Sequence, residues 1–453
     1  MKQWTPETVA SAAGADLVAA PSHAGGPDLV TIDSRTAGPG ALFVGLSGEN
    51  VDGGRFAGPA LDAGAWGVLT TPGHAAPLSG AATRGVVLVA VDPLKSLQRL
   101  ATGWRRTLEA QVIGVTGSTG KTSTKDLLLA VLTPHKRTVA SRANFNTEIG
   151  LPLEILSAPA GTEVLVLEMG MRGRGQIAEL AEIAEPDVAV IVSIGPVHLE
   201  LLGSIEAIAA TKAELIAALP PGGTAVIPAR EELLEPHLRD DVTIVTFGPH
   251  GDVRLTASEP DRVTVDAQGV QISLEVPFTQ AHLRSNLLAA VAAARAVGVT
   301  PQGRIDVALS RGRGQRYVTP SQVTVIDDCY NANPISMRAA LDDLKDTAAG
   351  DSARRVAVLG DMLELGPQER EFHAQLGDQA AAAGVDVLVT VGPLAASIAD
   401  HFRGESHAAA DAAEAAEIVP ELLAPGDVVL VKASRGVGLE LVCRALGAGE
   451  DDA

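Results

Sequence analysis

Short apolar runs alternate with amphipathic stretches along nearly the whole chain. Nine runs have the length and aliphatic content of buried strands: Leu42–Leu46, Val86–Val91, Val112–Thr116, Val164–Leu167, Val188–Ser193, Thr224–Ile227, Val356–Leu359, Val385–Val391 and Val428–Val431. Between many of them lie alanine-rich stretches with helical spacing, such as Glu206–Ala218, His282–Ala296 and Phe372–Ala383. Strand–helix alternation predicts an α/β fold with parallel sheets, because a parallel crossover needs a helix to carry it. Asp252–Val276 has another texture. There Val, Thr and Ile alternate with polar residues around the turn Ala267-Gln268-Gly269, which predicts an antiparallel patch inside the middle region.

The 453 residues suggest about three domains rather than one core. A new βαβ unit opens at Gly114, which ends a first domain near Ala110, and Ser310-Arg311-Gly312-Arg313-Gly314 reads as a hinge before a third. The expected units are 1–110, 111–313 and 314–453. The Glu450-Asp451-Asp452 tail is expected to fray.

Composition narrows the function classes. A formal charge of −20 argues against a nucleic-acid partner, which needs a basic surface. No run approaches the ~18 apolar residues of a membrane helix. The start, MKQWTPETVA, lacks the order of a signal peptide. Cys329 and Cys443 are too few for a disulfide framework. A soluble cytoplasmic protein, neither bound to nucleic acid nor inserted in a membrane, is expected. Of 35 basic residues only eight are lysine, so a lysine within a motif raises the question of whether its amine is needed.

One motif carries clear chemistry. Gly114-Val115-Thr116-Gly117-Ser118-Thr119-Gly120-Lys121-Thr122 lies between an apolar run and a helical pattern. It is one residue longer than G-x-x-x-x-G-K-[ST], yet the physics of a phosphate loop holds. Gly117 and Gly120 let backbone N–H groups, including those of Ser118 and Thr119, curve around phosphate oxygens at a helix N-terminus. Lys121 would reach the β/γ-phosphates, and the Thr122 hydroxyl would ligate Mg²⁺. Glu168 follows the run Val164–Leu167 at a strand's C-terminal edge, where ligands bind in open α/β sheets. His198, in Gly195-Pro196-Val197-His198-Leu199-Glu200, also lies just beyond a strand and is a candidate metal or phosphate contact.

Together Gly-Ser-Thr-Gly-Lys-Thr, Glu168-Met169-Gly170 and Gly195-Pro196-x-His198-Leu199-Glu200 resemble the Mur ligase family, ATP-dependent amide-forming enzymes of peptidoglycan precursor synthesis. That family writes its loop T-G-[ST]-x-G-K-[ST], which fits the longer spacing. Four further stretches resemble the member that acts on UDP-N-acetylmuramoyl-tripeptide and D-alanyl-D-alanine. They are Asn144-Phe145-Asn146-Thr147-Glu148-Ile149-Gly150-Leu151-Pro152, Ile326-Asp327-Asp328-Cys329-Tyr330-Asn331-Ala332-Asn333-Pro334, Leu359-Gly360-Asp361-Met362-x-Glu364-Leu365-Gly366 and Val431-Lys432-x-Ser434-Arg435-Gly436. The resemblance implies an N-terminal UDP-binding domain, a central P-loop ATPase domain and a C-terminal Rossmann-like domain. It runs from Asp33 to Gly436.

It also implies site roles. ATP and two Mg²⁺ ions would serve an acyl-phosphate mechanism, with Thr122 and Glu168 at one metal and His198 at the second. Lys212, in Ala209-Ala210-Thr211-Lys212-Ala213-Glu214, matches the family's carbamylated lysine. Asn286, Asp328, Asn331 and Asn333 would face adenine or ribose, and Arg313 the γ-phosphate. Ser34 and Arg35 would bind the UDP-sugar, Asn146 and Thr147 the peptide, and Lys432, Ser434 and Arg435 the substrate on domain closure. Where the family continues D-G-H-x-F, this chain reads Asp52-Gly53-Gly54-Arg55-Phe56, with glycine at the histidine position. Cys329 reads as a packed thiol. A monomer is expected.

Three other readings stay open at this point. The ligase that adds the third amino acid carries Asp-Asn-Pro-Arg and Y-A-H-T-P motifs, neither of which occurs here. A folylpolyglutamate synthase-like ligase should lack the Asp33-Ser34-Arg35 domain. A non-catalytic nucleotide-binding regulator would have no need of Glu168, His198 and Lys212 together.

Overall fold

The computed structural model describes residues 1–22, 24–78, 84–142, 145–348 and 353–448. Asn144 and the acidic tail Glu450-Asp451-Asp452 lie outside them. Among the described residues the strands form three sheets, of five, ten and six strands. All nine runs expected as strands are strands, with ends shifted by a few residues. The three helical stretches are helices at Ile205–Ala217, Ala281–Ala296 and Glu369–Ala382. The α/β class is as expected, and each sheet is mostly parallel. No helix among the described residues is long and apolar enough to cross a membrane.

In the first sheet, Leu29–Thr31, Ala41–Val44, Gly67–Thr70 and Val86–Val89 run parallel, and Asp16–Ala19 adds an antiparallel edge. The helix Pro93–Leu108 links this sheet to the second. It is capped by Asp92, whose side chain accepts the N–H groups of Leu94 and Lys95, and proline at its first position suits a helix start. Trp104 on this helix is 1% exposed and donates its indole N–H to the carbonyl of Ala158 at 2.9 Å. Its ring meets Trp4 edge to face at 5.4 Å. One side chain thus ties the N-terminal segment around Trp4 to the second unit.

The second sheet places the phosphate-loop strand, Gln111–Thr116, between Val164–Glu168 and Val188–Ile191, all parallel. This is where ligands bind in open sheets, because the crossovers leave on opposite sides and open a crevice at the strands' carboxyl ends. The Asp252–Val276 region is antiparallel as expected, with strands Val253–Ser258, Arg262–Ala267 and Val270–Glu275 paired in order and the register shifting once, between Leu255 and Ala257. Its tight turn holds Gln268 and Gly269 both at positive φ, 55° and 83°, the geometry that matches strand twist in a two-residue hairpin.

The third sheet runs Gln315–Val318, Thr324–Asp327, Val428–Lys432, Arg355–Gly360, Val387–Val391, Glu405–Ala409 and is parallel except at its first strand. Its central strand, Val428–Lys432, is buried along its length and ends at the cleft facing the second sheet.

Replacing Trp104 with alanine removes a large buried ring and leaves the Ala158 carbonyl without its donor. The substitution is expected to cost about 3–5 kcal/mol. Urea unfolding followed by circular dichroism would read the loss, and an unchanged first transition would contradict it.

Candidate functional site

The site grows from the phosphate loop. Gly120 caps the helix Lys121–Leu132 in the left-handed region at φ 79°, and a Cβ there would lie 2.7 Å from the Asn286 side-chain oxygen. Both facts demand glycine. The loop is held from the neighbouring strand exit. Ser118 donates its N–H to the Ser193 carbonyl at 2.9 Å, while its hydroxyl bridges both the carbonyl and the N–H of Gly195, each at 2.9 Å. Thr119 N–H donates to the Ser193 hydroxyl at 2.9 Å. Gly114, the first glycine of the motif, lies inside the strand, as the run Val112–Thr116 predicts. There its missing Cβ makes room for Met169 and Leu215.

At the next strand end Glu168 is 2% exposed and fully engaged. Thr122 Oγ1 donates to one carboxylate oxygen at 2.9 Å and Asn146 Nδ2 to the other at 2.8 Å. Asn146, expected at the peptide, therefore orients Glu168. Thr147 accepts the Gly150 N–H at 3.3 Å near the start of the helix Gly150–Ser157. Lys121 Nζ donates to the Gly117 carbonyl at 2.8 Å. Burial lowers its pKa, Arg313 lowers it further, and Glu168 opposes both.

His198 sits at φ 52° before the short helix Leu199–Leu202. Its Nδ1 pairs with Glu364 of the third unit, which leaves Nε2 for the cleft. Desolvation lowers the His198 pKa, Glu364 raises it, and Lys121 and Lys212 lower it again. Glu364 also accepts from Arg172 at 3.0 Å. Lys212, on Ile205–Ala217, is 2% exposed, and among the described residues no acceptor meets its Nζ. Burial and the charge of Lys121 hold its pKa well below the ordinary lysine range, so the pocket favours the neutral amine.

The third sheet supplies the opposite wall. Lys432, 2% exposed, pairs with Asp328 at 2.6 Å and donates to the Asn331 carbonyl at 2.8 Å. It seats the 328–333 turn while itself lining the cleft. Asn331 accepts the Ala332 N–H at 2.8 Å, and Asn333 caps the helix Pro334–Thr347 through the Ser336 N–H at 3.0 Å. Their oxygens are thus engaged by backbone, and their amide NH₂ groups remain for a ligand. Ser434 accepts the Leu363 N–H at 2.9 Å. Arg313 and Arg435 both lie over the Tyr330 ring, at 4.1 and 5.1 Å from its centre.

A cleft of about 740 Å³ brings these groups together. Gly117, Ser118, Thr119, Gly120, Lys121, Asn146, Thr147, Glu168, His198, Lys212, Asn286, Arg313, Asp328, Asn331, Asn333, Lys432, Ser434 and Arg435 all line it, and Thr122 stands directly behind Glu168. Ser34 and Arg35 lie apart, after the strand Leu29–Thr31 of the first sheet. Arg35 folds onto Asp33 at 2.7 Å, and that contact holds the Asp33 carboxyl down at about 2. In the first unit the ring of His74 occupies the space that a Cβ at Gly54 would take, and its Nε2 meets Asp52 at 2.8 Å. An imidazole therefore stands beside Asp52 after all, delivered from a different segment. Cys329 is 2% exposed. Its hydrogen bond to Cys443, reinforced by burial, holds its thiol far above the ordinary range, which suits a packed thiol.

Sequence reasoning gave no role to Glu364, Tyr330, Arg172 or Ser141. Glu364 and Tyr330 stood inside quoted stretches, but their partners lie far off in sequence. Arg172 and Ser141 carried no local signal.

Fold and site together define a class: a three-sheet α/β protein whose phosphate loop faces a cleft shared with a second parallel sheet. The chain belongs to the Mur ligase family. Its residues 28–104 match the Mur ligase family catalytic domain, 115–294 the Mur ligase middle domain and 312–435 the Mur ligase glutamate ligase domain. It is 38% identical to the UDP-N-acetylmuramoyl-tripeptide–D-alanyl-D-alanine ligase of Synechocystis sp., over 90% of this chain and 89% of that one. Against the enzyme of the same name from Bacillus subtilis it is 36% identical, over 89% and 90%. Among solved structures, MurF from Acinetobacter baumannii superposes with a TM-score of 0.85 at 28% identity, over 98% of each chain. MurF from Thermotoga maritima in complex with ADP gives 0.79 at 28% identity, over 92% of this chain and 96% of that one.

Gly120→Ala should weaken ADP binding at least about tenfold, since left-handed backbone costs roughly 1–2 kcal/mol for alanine before the Asn286 clash is counted. Titration calorimetry with ADP would measure it, and an unaltered affinity would remove the loop from the nucleotide site.

Proposed function

We propose that the chain is an ATP-dependent ligase that joins D-alanyl-D-alanine to UDP-N-acetylmuramoyl-tripeptide, forming the UDP-N-acetylmuramoyl-pentapeptide used in peptidoglycan synthesis. It works as a cytoplasmic monomer. Its units are 1–110 for the UDP-sugar, 111–313 for ATP and 314–453 as a closing Rossmann-like domain. The observation that carries the reading is the convergence of the phosphate loop, Glu168, His198 and the unpartnered amine of Lys212 in one cleft.

A carboxylate is a poor electrophile, so the tripeptide carboxylate oxygen first takes the γ-phosphoryl group of ATP, and ADP leaves. The amine of D-alanyl-D-alanine then attacks the acyl carbon, loses a proton, and phosphate departs. Phosphoryl transfer of this kind needs placement and charge stabilisation more than covalent help. Ser118 and Thr119 spend their N–H groups on Ser193 and so hold the loop in shape. That leaves the N–H groups of Gly120 and Lys121 at the helix start for the phosphates, and the Lys121 amine would turn from Gly117 to the β/γ-oxygens. Arg313, held over Tyr330 in the cleft that the phosphate loop lines, would meet the γ-phosphate. Asn286 borders adenine beside Gly120, with the free amide groups of Asn331 and Asn333 and the carboxylate of Asp328 across the cleft. Arg435 approaches the substrate, while Lys432 and Ser434 hold the wall that carries it. Ser34 and Arg35 take the UDP-sugar on the first sheet.

The residues fit two Mg²⁺ ions. The Thr122 hydroxyl and Glu168 form a hard oxygen pair at the strand edge, which suits Mg²⁺. His198 presents Nε2, and Lys212 would join it as a carbamate, because a buried neutral amine without an acceptor can capture CO₂ and become an anionic oxygen donor. Bound Mg²⁺ would supply Lewis-acid stabilisation of the phosphate charge. Closure of the third unit excludes water from an acyl phosphate that water would hydrolyse.

Phosphate release should depend strictly on both UDP-N-acetylmuramoyl-tripeptide and D-alanyl-D-alanine. Release driven by a free amino acid would overturn the assignment. Lys212→Ala should lose about a hundredfold in turnover, with partial recovery in added short-chain carboxylates. Undiminished turnover in the unrescued variant would sink the carbamate.

A further inference from the structure

Lys125 and Asp126 have no part in the chemistry above, yet both are nearly buried, at 4% and 7% exposed. They lie about one turn beyond Lys121 and Thr122 on the helix Lys121–Leu132. Burying two charges carries a desolvation penalty that their attraction offsets only when the remaining hydrogen bonds are filled. Here they are. Lys125 Nζ meets Asp126 Oδ1 at 2.8 Å and donates to the Ser141 carbonyl at 2.9 Å. Asp126 Oδ2 accepts the Ser310 N–H at 2.8 Å, and its Oδ1 accepts the Ser310 hydroxyl at 3.2 Å.

Each outgoing bond ends on a segment that holds a site residue. Ser141 Oγ accepts the backbone N–H of Glu168 at 3.0 Å. Ser310 opens the crossing into the third unit, three residues before Arg313. Arg313 stands between two glycines with left-handed backbone, Gly312 at φ 64° and Gly314 at φ 78°. On the far side, Tyr330 N–H donates to the Gly312 carbonyl at 3.2 Å and Gly314 N–H to the Asp327 carbonyl at 2.8 Å. The crossing is therefore pinned on both sides of Arg313, to the phosphate-loop helix before it and to the third sheet after it.

We propose that Asp126, with Lys125 as its buried counter-charge, is a positioning residue that anchors the 310–314 crossing to the phosphate-loop helix. Nucleotide phosphates and Arg313 then share one frame when the third unit closes. The purpose of the anchor rests on the reading of Arg313 as a γ-phosphate contact; the anchor itself does not.

Trypsin cuts after arginine, and Arg311 and Arg313 lie within the crossing, so limited digestion of the full chain with mass assignment of the cuts reads the anchor directly. Asp126→Asn should speed cleavage there about tenfold, the worth of one charged hydrogen bond. Because that change leaves Lys125 buried without its counter-charge, the neutral pair Lys125→Met/Asp126→Asn serves as a second variant. It should fold by circular dichroism and be cut as fast. In the dual-substrate assay Asp126→Asn should lower kcat about tenfold and leave the KM for ATP within about twofold. Added to Arg313→Ala, it should cost less than about twofold more, since residues acting through one another are not additive. Unchanged cleavage in both variants overturns the anchor. Fully additive kcat losses overturn its action through Arg313. Full turnover in Arg313→Ala overturns the γ-phosphate reading itself, a failure seen in the assay and not in the digestion.

Discussion

Much of this structure depends on how the phosphate loop is held. Its backbone is fastened to the exit of the next strand by Ser118 and Thr119, which bond Ser193 and Gly195. A loop that binds anions through N–H groups must keep those groups aimed without a ligand to organise them. The same segment that steadies the loop continues into His198, so the two halves of the cleft floor are built on one scaffold. Glu168 completes it from the other flank, with both carboxylate oxygens occupied.

Charge follows from this arrangement. A chain at −20 gathers Lys121, Arg313 and Arg435 around one cleft while Glu168, Asp328 and Glu364 stand among them. Lys121 and Arg313 are half-buried, which strengthens their field toward phosphate. Contact across the second and third sheets is narrow and specific. Glu364 meets both His198 and Arg172, and Ile335 packs against Gly195, where a side chain would collide with it. A few side chains therefore tie the third unit to the floor of the cleft.

The long buried strands were legible because continuous aliphatic runs leave little choice of structure, and the 252–276 hairpins because period-two alternation met a turn that needs positive φ. Short or exposed strands were not. Leu29–Thr31 has three residues, and Gln315–Val318 is an edge with alternating half-buried positions, so neither carries an apolar run. Local motifs located the phosphate loop, Glu168 and His198 because strand ends fix where such groups point. What sequence could not give was pairing at a distance. Glu364 lies 166 residues from His198, and His74 fills the room left by Gly54 from another segment. Lys432 and Asn146 were read as substrate contacts; both line the cleft, and what no motif told is that they also hold Asp328 and Glu168. A motif names the residue, whereas packing decides which way it faces.

The Trp4–Trp104 contact has an optical consequence. The chain has three tryptophans, at positions 4, 66 and 104, so every indole belongs to the first quarter of the sequence. Two of them touch at the seam where the helix Pro93–Leu108 rests against the second unit. Intrinsic emission from this protein is therefore a gauge of how the N-terminal unit sits on its neighbour. It is blind to the nucleotide cleft unless filling that cleft shifts the seam.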